Sequence, residues 1–257
     1  MRAHLVQLDI AWEDPAANHA RVRELLAPVA PGDLVVLPEM FDTGFSMSTE
    51  RTAPHADATL AFLADLARDL RATIQGGRTV VAAPHRLAHN RAPVLGPDGR
   101  LLAEYTKIHP FSYGKEHERF EGGTEVLTYD WHAGADTLRV CPAICYDLRF
   151  PELFRRGLRL GAEVFAIGAN WPAARAHHWR ALLVARAIEN QALVLGVNRT
   201  GRDPSLAYAG GSLAVASTGE ILGELGDKEA VLSLDIDPAA IRGWRERFPA
   251  WRDARLL

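Results

Sequence analysis

Short apolar runs that alternate with amphipathic stretches are the feature of this sequence that most limits its possible folds. Several of the apolar runs are continuous, which is typical of strands that are covered on both faces by other layers. The stretches between them have the apolar spacing of helices that bury one face. The pattern therefore predicts an α/β fold in which helices pack outside β-sheets.

The same pattern predicts where the elements begin and end. We expect strands at His4–Ile10, Leu34–Leu37, Thr79–Ala83, Thr137–Ala143, Val164–Ala169 and Leu193–Asn198. We expect helices at Ala16–Ala27, Asp57–Arg71, Pro151–Leu160 and His178–Asn190. Asp57 and Thr59 are candidate caps for the second helix, because short polar side chains accept hydrogen bonds from the first N–H groups of a helix.

Two segments of the chain resemble each other. Ala92–Glu104 consists of a strand, a Pro-Asp-Gly turn and a strand, and Ser212–Glu224 repeats this order around a Ser-Thr-Gly-Glu turn. Both patterns predict β-hairpins. Either the hairpins mark two related halves of one fold, or the likeness is chance, since hairpins that contain glycine are common. No low-complexity segment or long linker divides the chain, so we expect one domain over residues 1–257.

Composition and charge argue against several classes of function. Hydrophobic residues make up 48% and charged residues 24% of the sequence, as in an ordinary globular protein. The net charge of -3 provides no field that would attract nucleic acid, so no nucleic-acid partner is expected. No apolar run is long enough to span a membrane. Asp9 comes too early for a secretory signal, which predicts a cytoplasmic location.

The sequence contains two cysteines, Cys141 and Cys145. If they lie on one strand, the four residues between their positions span roughly 13 Å. A disulfide requires Cα atoms within about 7 Å. We therefore predict two free thiols in a reducing compartment.

Three side chains that can carry chemistry each follow a predicted strand. Cys145 ends an apolar strand and precedes a helix start at Pro151, and such a turn can expose a nucleophile and direct backbone N–H groups at an oxyanion. Lys107 follows the strand Leu101–Tyr105, and its ammonium group could favour a nearby thiolate and stabilise an oxyanion. Glu39 follows a third apolar run, where desolvation would raise its pKa and suit it to act as a general base.

Each of the three residues also has an ordinary interpretation: a buried cysteine, a solvated lysine and a loop glutamate. The argument for function is that three strand ends can meet at one edge of a sheet. A base, a cation and a thiol at that edge can transfer an acyl group through a thioester.

Metal and cofactor chemistry have less support in the sequence. His85 with His89, or His177 with His178, could be metal ligands, but no His-Glu-x-x-His or paired Cys-x-x-Cys pattern accompanies them. There is also no Gly-x-Gly-x-x-Gly and no phosphate-binding loop. We expect neither a metal nor a cofactor.

The three segments around these residues are Leu-Pro-Glu39, Lys107-Ile-His and Cys145-Tyr-Asp-Leu-Arg-Phe-Pro-Glu. In this order they resemble the three signatures of the nitrilase superfamily of carbon–nitrogen hydrolases. Three later segments agree, and the resemblance covers essentially the whole chain: Ala169-Asn170-Trp171-Pro172, Arg186-Ala-Ile-Glu-Asn-Gln191 and Asn198-Arg-Thr-Gly201.

The resemblance implies a four-layer αββα sandwich, usually assembled as a homodimer or higher homo-oligomer through outer helices. It also implies a Glu-Lys-Cys triad in which Cys145 is the nucleophile and Glu39 the general base. Lys107 and the backbone N–H of Tyr146 would then stabilise the oxyanion.

Members of the superfamily also carry a second active-site glutamate between the lysine and the cysteine. The segment from Gly114 to Gly123 offers three candidates for this position. The spacing to the closing Gly-Gly pair favours Glu116, and Glu118 is the second choice.

Within the superfamily, the chain looks most like the bacterial ω-amidases, which hydrolyse 2-oxoglutaramate and similar ω-amides of 2-oxo acids. This likeness rests on Phe111–Gly123, on Asn170–Arg175 with His178-Trp179, and on Arg247–Trp251. The implied reaction is thioester-mediated cleavage of a small-molecule amide to an acid and ammonia.

Such a substrate needs a cation for its distal carboxylate, and Arg175 is the candidate, although a surface arginine is an equal alternative. Tyr113 and Trp171 are candidates for the pocket wall. Two other functions stay open at this point. One is an N-carbamoyl amide hydrolase or nitrilase of the same superfamily, and the other is a non-catalytic binding or assembly protein that retains the fold.

Overall fold

The structure, a computed structural model, describes residues 1–26, 29–81 and 86–255. Its strands are β1 (Arg2–Gln7), β2 (Leu34–Val36), β3 (Thr73–Gln75), β4 (Arg78–Val80), β5 (His89–Leu95), β6 (Leu101–Thr106), β7 (Tyr129–Ala133), β8 (Asp136–Ile144), β9 (Val164–Ala169), β10 (Leu193–Asn198), β11 (Thr200–Arg202), β12 (Ala207–Ala209), β13 (Leu213–Val215), β14 (Ile221–Glu224) and β15 (Ala230–Asp235). Its α-helices are α1 (Pro15–Leu25), α2 (Thr49–Thr52), α3 (Ala56–Leu70), α4 (Pro151–Arg159), α5 (Ala176–Asn190) and α6 (Pro238–Arg247).

Two β-sheets pack face to face and carry helices on their outer faces. The first sheet has the order β15-β1-β2-β3-β5-β4, with β6 paired to β5, and the second has the order β14-β13-β10-β9-β8-β7. Leu5 and Val36 of the first sheet share one apolar cluster with Leu195 of the second. Helices α1 and α3 cover the outside of the first sheet, and α4 and α5 cover the second. The predicted four-layer αββα sandwich is therefore confirmed.

The two sheets repeat the same order of strand directions. In each, an edge strand pairs antiparallel with the first of three parallel strands, and the third parallel strand pairs with an antiparallel hairpin. The two hairpin turns also match, because Gly99 and Gly219 both adopt a positive φ, of 77° and 93°. The likeness of the two hairpin segments thus reflects two related halves of one fold.

The strands at the centre of the second sheet match their predicted bounds best. Val164–Ala169 and Leu193–Asn198 form β9 and β10 as predicted, and every residue in them is buried. They pair in parallel at the centre of the sheet, where helices cover one face and the first sheet covers the other, so apolar side chains are favoured on both faces. A continuous apolar run is therefore a good guide to such a strand.

Other bounds differ from the prediction for reasons of tertiary pairing. The first strand covers Arg2–Gln7 instead of His4–Ile10, because β15 pairs with that range. The predicted caps of the second helix are wrong. The chain enters α3 through a 3₁₀ helix at Ala53–His55, and Thr59 lies inside α3, where its hydroxyl donates to Asp42 Oδ2 at 2.7 Å.

Some predictions fall on residues outside the described ranges. These are the end of the first helix at Ala27, the end of the third strand at Ala82 and Ala83, the histidine His85, and the last two residues of the predicted domain. Among the described residues, no helix is long and apolar enough to cross a membrane. Cys141 and Cys145 are both free, as predicted.

Candidate active site

Four strands bring polar residues to one cluster between the sheets. Glu39 follows β2 and Lys107 follows β6, both in the first sheet. Cys145 follows β8 and Asn170 follows β9, both in the second sheet. The expectation that strand ends deliver the site is correct, but the ends belong to two facing sheets and not to one edge of a single sheet. The cluster is therefore enclosed on two sides by the scaffold.

Lys107 lies between two buried carboxylates. Its Nζ donates to Glu39 Oε1 at 2.8 Å and to Glu116 Oε2 at 2.8 Å. Asn90 Nδ2 donates to the same two carboxylates, at 2.7 Å to Glu39 and 3.1 Å to Glu116. All four side chains are buried. The arrangement fixes a positive charge between two negative ones, away from bulk water.

The backbone next to Glu39 is packed tightly against both sheets. Asn170 donates from its backbone N to Glu39 Oε2 at 3.0 Å and from Nδ2 to the Glu39 carbonyl oxygen at 2.6 Å. Glycines permit this approach, since a methyl group at Gly168 would lie 2.6 Å from the carbonyl oxygen of Leu37. Gly77 faces the Glu39–Met40 backbone from the other side. The position of Glu39 is therefore set by its neighbours, not by a free rotamer.

Cys145 lies at a sharp turn between β8 and a 3₁₀ helix at Cys145–Arg149. Its φ of 45° is left-handed, which costs roughly 1 kcal/mol or more in a residue other than glycine. The turn confirms the predicted strand-to-helix geometry. The first N–H groups of a helix have no acceptor within it, so the backbone N–H of Tyr146 is suited to bind an oxyanion beside the sulfur.

The two glutamates have opposite pKa shifts. Burial alone would raise the pKa of Glu39, but the charge of Lys107 and hydrogen bonds from Lys107, Asn170 and Asn90 outweigh it and lower the pKa below its ordinary value. Burial, together with the nearby Glu39, raises the pKa of Glu116 in spite of Lys107. The expectation that desolvation would raise the pKa of Glu39 is therefore wrong in sign, because the charge of Lys107 and the hydrogen bonds together outweigh the effect of burial.

The thiol and the ammonium stay protonated in this environment. Burial, with Glu39 nearby, raises the pKa of Cys145 well above its ordinary value, and the opposing effect of Lys107 is smaller. Burial would lower the pKa of Lys107, but Glu116, Glu39 and Cys145 raise it. Lys107 does favour the thiolate, as expected, but burial and Glu39 outweigh its effect, so the resting thiol is neutral. The resting cluster contains a neutral thiol, an ionised Glu39 and a charged Lys107.

A small cavity opens beside Cys145. Five of the twelve residues in its wall are aromatic, and the wall also carries two guanidinium groups, those of Arg149 and Arg175. Arg149 lies over the Trp171 ring at 4.7 Å, and Arg175 lies over the Phe111 ring at 5.5 Å. In the described part of the chain, neither guanidinium pairs with a carboxylate. The cavity therefore offers positive charge to a ligand on an apolar background.

Most of the remaining predicted site residues lie where the sequence placed them. Tyr146, Trp171 and Arg175 line the cavity. Tyr113 does not, because the 3₁₀ helix Ser112–Gly114 leaves its ring 85% exposed, while Phe111 takes the inward place. A role for Tyr113 in the pocket wall is therefore not supported.

The two candidates for the second glutamate lie in different surroundings. Glu116 is buried and accepts hydrogen bonds from Lys107 and from the Phe111 backbone N. Glu118 is exposed. Only Glu116 is in contact with the cluster, as the Gly-Gly spacing favoured.

The sequence prediction missed several residues of the site. Asn90 lies within β5 and gives no signal, since a single asparagine in a strand has no distinctive pattern. Asn170 and Arg149 lie in segments that carry the family resemblance, and a search of those segments for polar side chains would have found them. Phe45 reaches the cavity from a loop and Tyr208 from strand β12, both distant in sequence from Cys145.

Metal ligands are not grouped in the described residues. No cluster of three or more His, Cys, Asp or Glu side chains there could hold a metal ion. His177 and His178 lie side by side, with ring centroids 4.1 Å apart, and no third ligand joins them.

An αββα sandwich with a buried cysteine, lysine and glutamate at its strand ends is the architecture of a thiol-dependent amide hydrolase. The sequence profile of the carbon–nitrogen hydrolase family matches residues 2–246, and the chain belongs to this family. It is therefore a hydrolase that acts on C–N amide bonds. The alternative of a non-catalytic protein that retains the fold is set aside.

Several relatives match almost the whole chain. The ω-amidase YafV of Yersinia enterocolitica is 36% identical over 98% of this chain and 96% of its own length. The 2-oxoglutaramate amidase of Bacillus subtilis (strain 168) is 32% identical over 97% of this chain and 96% of its own. The crystal structure of a CN-hydrolase superfamily protein from Xanthomonas campestris is similar with a TM-score of 0.92 and 37% identity, covering 100% of this chain and 98% of that one.

Proposed function

We propose that this protein is an ω-amidase that converts a small ω-amide of a carboxylic acid, such as 2-oxoglutaramate, to the acid and ammonia. The observation that carries the proposal is the buried cluster of Glu39, Lys107 and Cys145, which opens on a cavity with two guanidinium groups that pair with no carboxylate of the described residues. The names of the two curated relatives support the same substrate class.

In the first half of the reaction, Cys145 Sγ attacks the amide carbonyl carbon. Glu39 accepts the thiol proton during this attack, because burial keeps the resting thiol protonated. Lys107 Nζ and the backbone N–H of Tyr146 stabilise the oxyanion that forms. Glu39 then returns the proton to the leaving nitrogen, the C–N bond breaks, and ammonia departs from a thioester.

In the second half, water replaces the amine. Glu39 accepts a proton from the water as its oxygen attacks the thioester carbonyl, and the C–S bond breaks to release the acid. The proton returns to the Cys145 sulfur. Lys107 stays charged throughout, because the carboxylates of Glu39 and Glu116 raise its pKa. We therefore assign proton transfer to Glu39 and fixed charge to Lys107.

The cavity charge supports a substrate with a distal carboxylate. The Arg149 guanidinium packs on the Trp171 ring, and its Nη2 lies 3.3 Å from His178 Nδ1. These contacts orient the guanidinium before a ligand binds. The Arg175 guanidinium packs on the ring of Phe111. A bidentate guanidinium–carboxylate contact would favour an acidic amide over a neutral one.

Ammonia release from 2-oxoglutaramate and from the uncharged butyramide tests this proposal, with wild type compared to Arg149→Gln. We expect wild type to prefer the acidic amide, and Arg149→Gln to raise KM for it by about tenfold or more, with little change for butyramide. Arg180→Gln is the matched control, since Arg180 is an exposed arginine paired with Glu224. Hydrolysis of N-carbamoyl amino acids or nitriles, with no release from 2-oxoglutaramate, would replace the ω-amidase proposal with another branch.

We also propose that the protein forms a homodimer or higher homo-oligomer through its outer helices, as the family resemblance implies. Ile188 of α5 is an exposed apolar side chain on that face. Sedimentation of the purified protein tests this, and a monomer at micromolar concentration would contradict it. The cytoplasmic location stays a prediction.

A further inference from the structure

Asp147 is a buried carboxylate that does not line the cavity, and both of its oxygens have hydrogen-bond partners. Its Oδ2 accepts hydrogen bonds from the Ile144 backbone N at 3.1 Å and from the Tyr105 hydroxyl at 2.7 Å. Its Oδ1 accepts from the His109 backbone N at 3.0 Å and lies 2.8 Å from His109 Nδ1. One side chain thus holds four polar groups.

These four groups belong to two segments that carry reactive residues. Ile144 immediately precedes Cys145, whereas Tyr105 and His109 lie two residues before and two residues after Lys107. The segments come from different sheets, β8 in the second and β6 in the first. Asp147 is therefore a direct link between the nucleophile turn and the lysine segment.

We propose that Asp147 is a positioning residue that fixes the Cys145 sulfur relative to Lys107 and Glu39. This inference rests on the catalytic roles proposed above. The left-handed backbone of Cys145 persists only where its surroundings enforce it, and the Asp147–Ile144 hydrogen bond closes that turn. A misplacement of about 1 Å between reacting groups can cost about a hundredfold in rate.

A purely structural role would also involve buried hydrogen bonds, so loss of stability cannot separate the two explanations. The chain contains a matched control in Asp33, which is also buried. Asp33 Oδ2 pairs with His4 Nε2 at 2.8 Å and accepts from the Ala30 backbone N at 2.8 Å. It thus repeats the pairing with a histidine and a backbone N–H, but it is not bonded to the catalytic segments.

Asp147→Asn is a sharp substitution, because each carboxylate oxygen faces a backbone N–H, that of Ile144 or of His109. In either orientation the new NH₂ group opposes one of these donors, which loses its acceptor. Tyr105→Phe is milder, since it removes one hydroxyl donor and leaves both backbone contacts in place.

The experiment compares wild type, Asp147→Asn, Tyr105→Phe and Asp33→Asn, well below the melting temperature of each. It measures kcat and KM for the amide substrate, and the rate at which iodoacetamide alkylates Cys145. We expect Asp147→Asn to lower kcat about a hundredfold with little change in KM, and Tyr105→Phe to have a smaller effect. Asp33→Asn should lower the melting temperature but leave kcat within about twofold.

Alkylation should slow only in Asp147→Asn and Tyr105→Phe, because the protonated thiol reacts only when Glu39 is in reach. Equal losses of kcat in Asp147→Asn and Asp33→Asn, or alkylation of Asp147→Asn at the wild-type rate, would show that Asp147 has a structural role only. If wild type is alkylated but hydrolyses no amide, the proposed function fails. The alkylation rates of the variants then still test the role of Asp147.

Discussion

The two halves of the sandwich share one order of strands but deliver different chemistry to the site. Glu39 follows β2 and Asn170 follows β9, which occupy equivalent places in the two sheets, and these residues bond to each other. The first half also supplies Lys107, whereas the second half supplies Cys145. The repeated scaffold thus fixes where side chains meet, and the residue at each strand end decides what they can do.

The strand equivalent to β8 makes the contrast sharper. β8 leads to Cys145, but its counterpart β1 ends at Gln7. The Gln7 amide donates to the Gly226 carbonyl oxygen at 2.7 Å and accepts from the Ser212 backbone N at 2.9 Å. One strand end therefore carries the nucleophile, and its counterpart ties loops together.

The largest expected effect is that of removing the thiol from the second half. Cys145→Ala should lower ammonia release by about 10⁴-fold or more, because no other group can form the thioester. Circular dichroism should show an unchanged fold. Cys141→Ala is the control, since Cys141 is an equally buried free thiol inside β8. Comparable loss of activity in both variants would mean that packing of β8, and not the Cys145 nucleophile, explains the effect.

A somewhat smaller effect is expected from removing the base in the first half. Glu39→Gln keeps the shape of the side chain but cannot accept the thiol proton, so kcat/KM should fall by about 10³-fold. The exposed Glu118→Gln should have no effect. Near-normal turnover in Glu39→Gln would show that another residue is the general base, and Glu116 would be the next residue to test.

The pH dependence gives a second test of the same residue. Because Lys107 lowers the pKa of Glu39, the base stays ionised below the ordinary pKa of a glutamate. Activity should therefore be lost only as the pH falls through that lowered value, and the acid limb of the kcat/KM profile should lie below the usual glutamate range. An acid limb near neutral pH would contradict the lowered pKa.

The smallest effect is expected from a substitution at the contact between the two halves. In Gly168→Ala, the new methyl group would lie 2.6 Å from the Leu37 carbonyl oxygen and push the Glu39 segment away. We expect destabilisation by about 1–3 kcal/mol and a loss of kcat of roughly tenfold. Gly226→Ala is the control, because a methyl group there meets nothing within 4 Å. Full activity in Gly168→Ala would show that this approach is not required.

Apolar runs predict the bounds of a strand correctly where both faces of that strand are buried. Both faces of β9 and β10 are covered, so their apolar runs match their bounds. The strand prediction failed where a distant strand set the limit, as β15 does for β1. The helix-cap prediction failed for Thr59, because its hydroxyl donates a hydrogen bond to Asp42 in a distant turn.

The site divides in the same way. The positions of Glu39, Lys107 and Cys145 could be predicted because strands end where polar residues first appear. Asn90 could not, because it bridges two carboxylates from within a strand. Tyr113 and Phe111 are both aromatic and two residues apart, and only the turn between them decides which one faces the cavity.

The chemical groups at the strand ends and the layered α/β architecture follow from the amino-acid sequence, because both depend on local pattern and burial. The charge states at the site depend on the tertiary structure. Glu39 and Lys107 are 68 residues apart in the chain, and their atoms lie 2.8 Å apart in the fold. The contact with Lys107, together with hydrogen bonds from Asn170 and Asn90, reverses the shift that burial alone would give the pKa of Glu39.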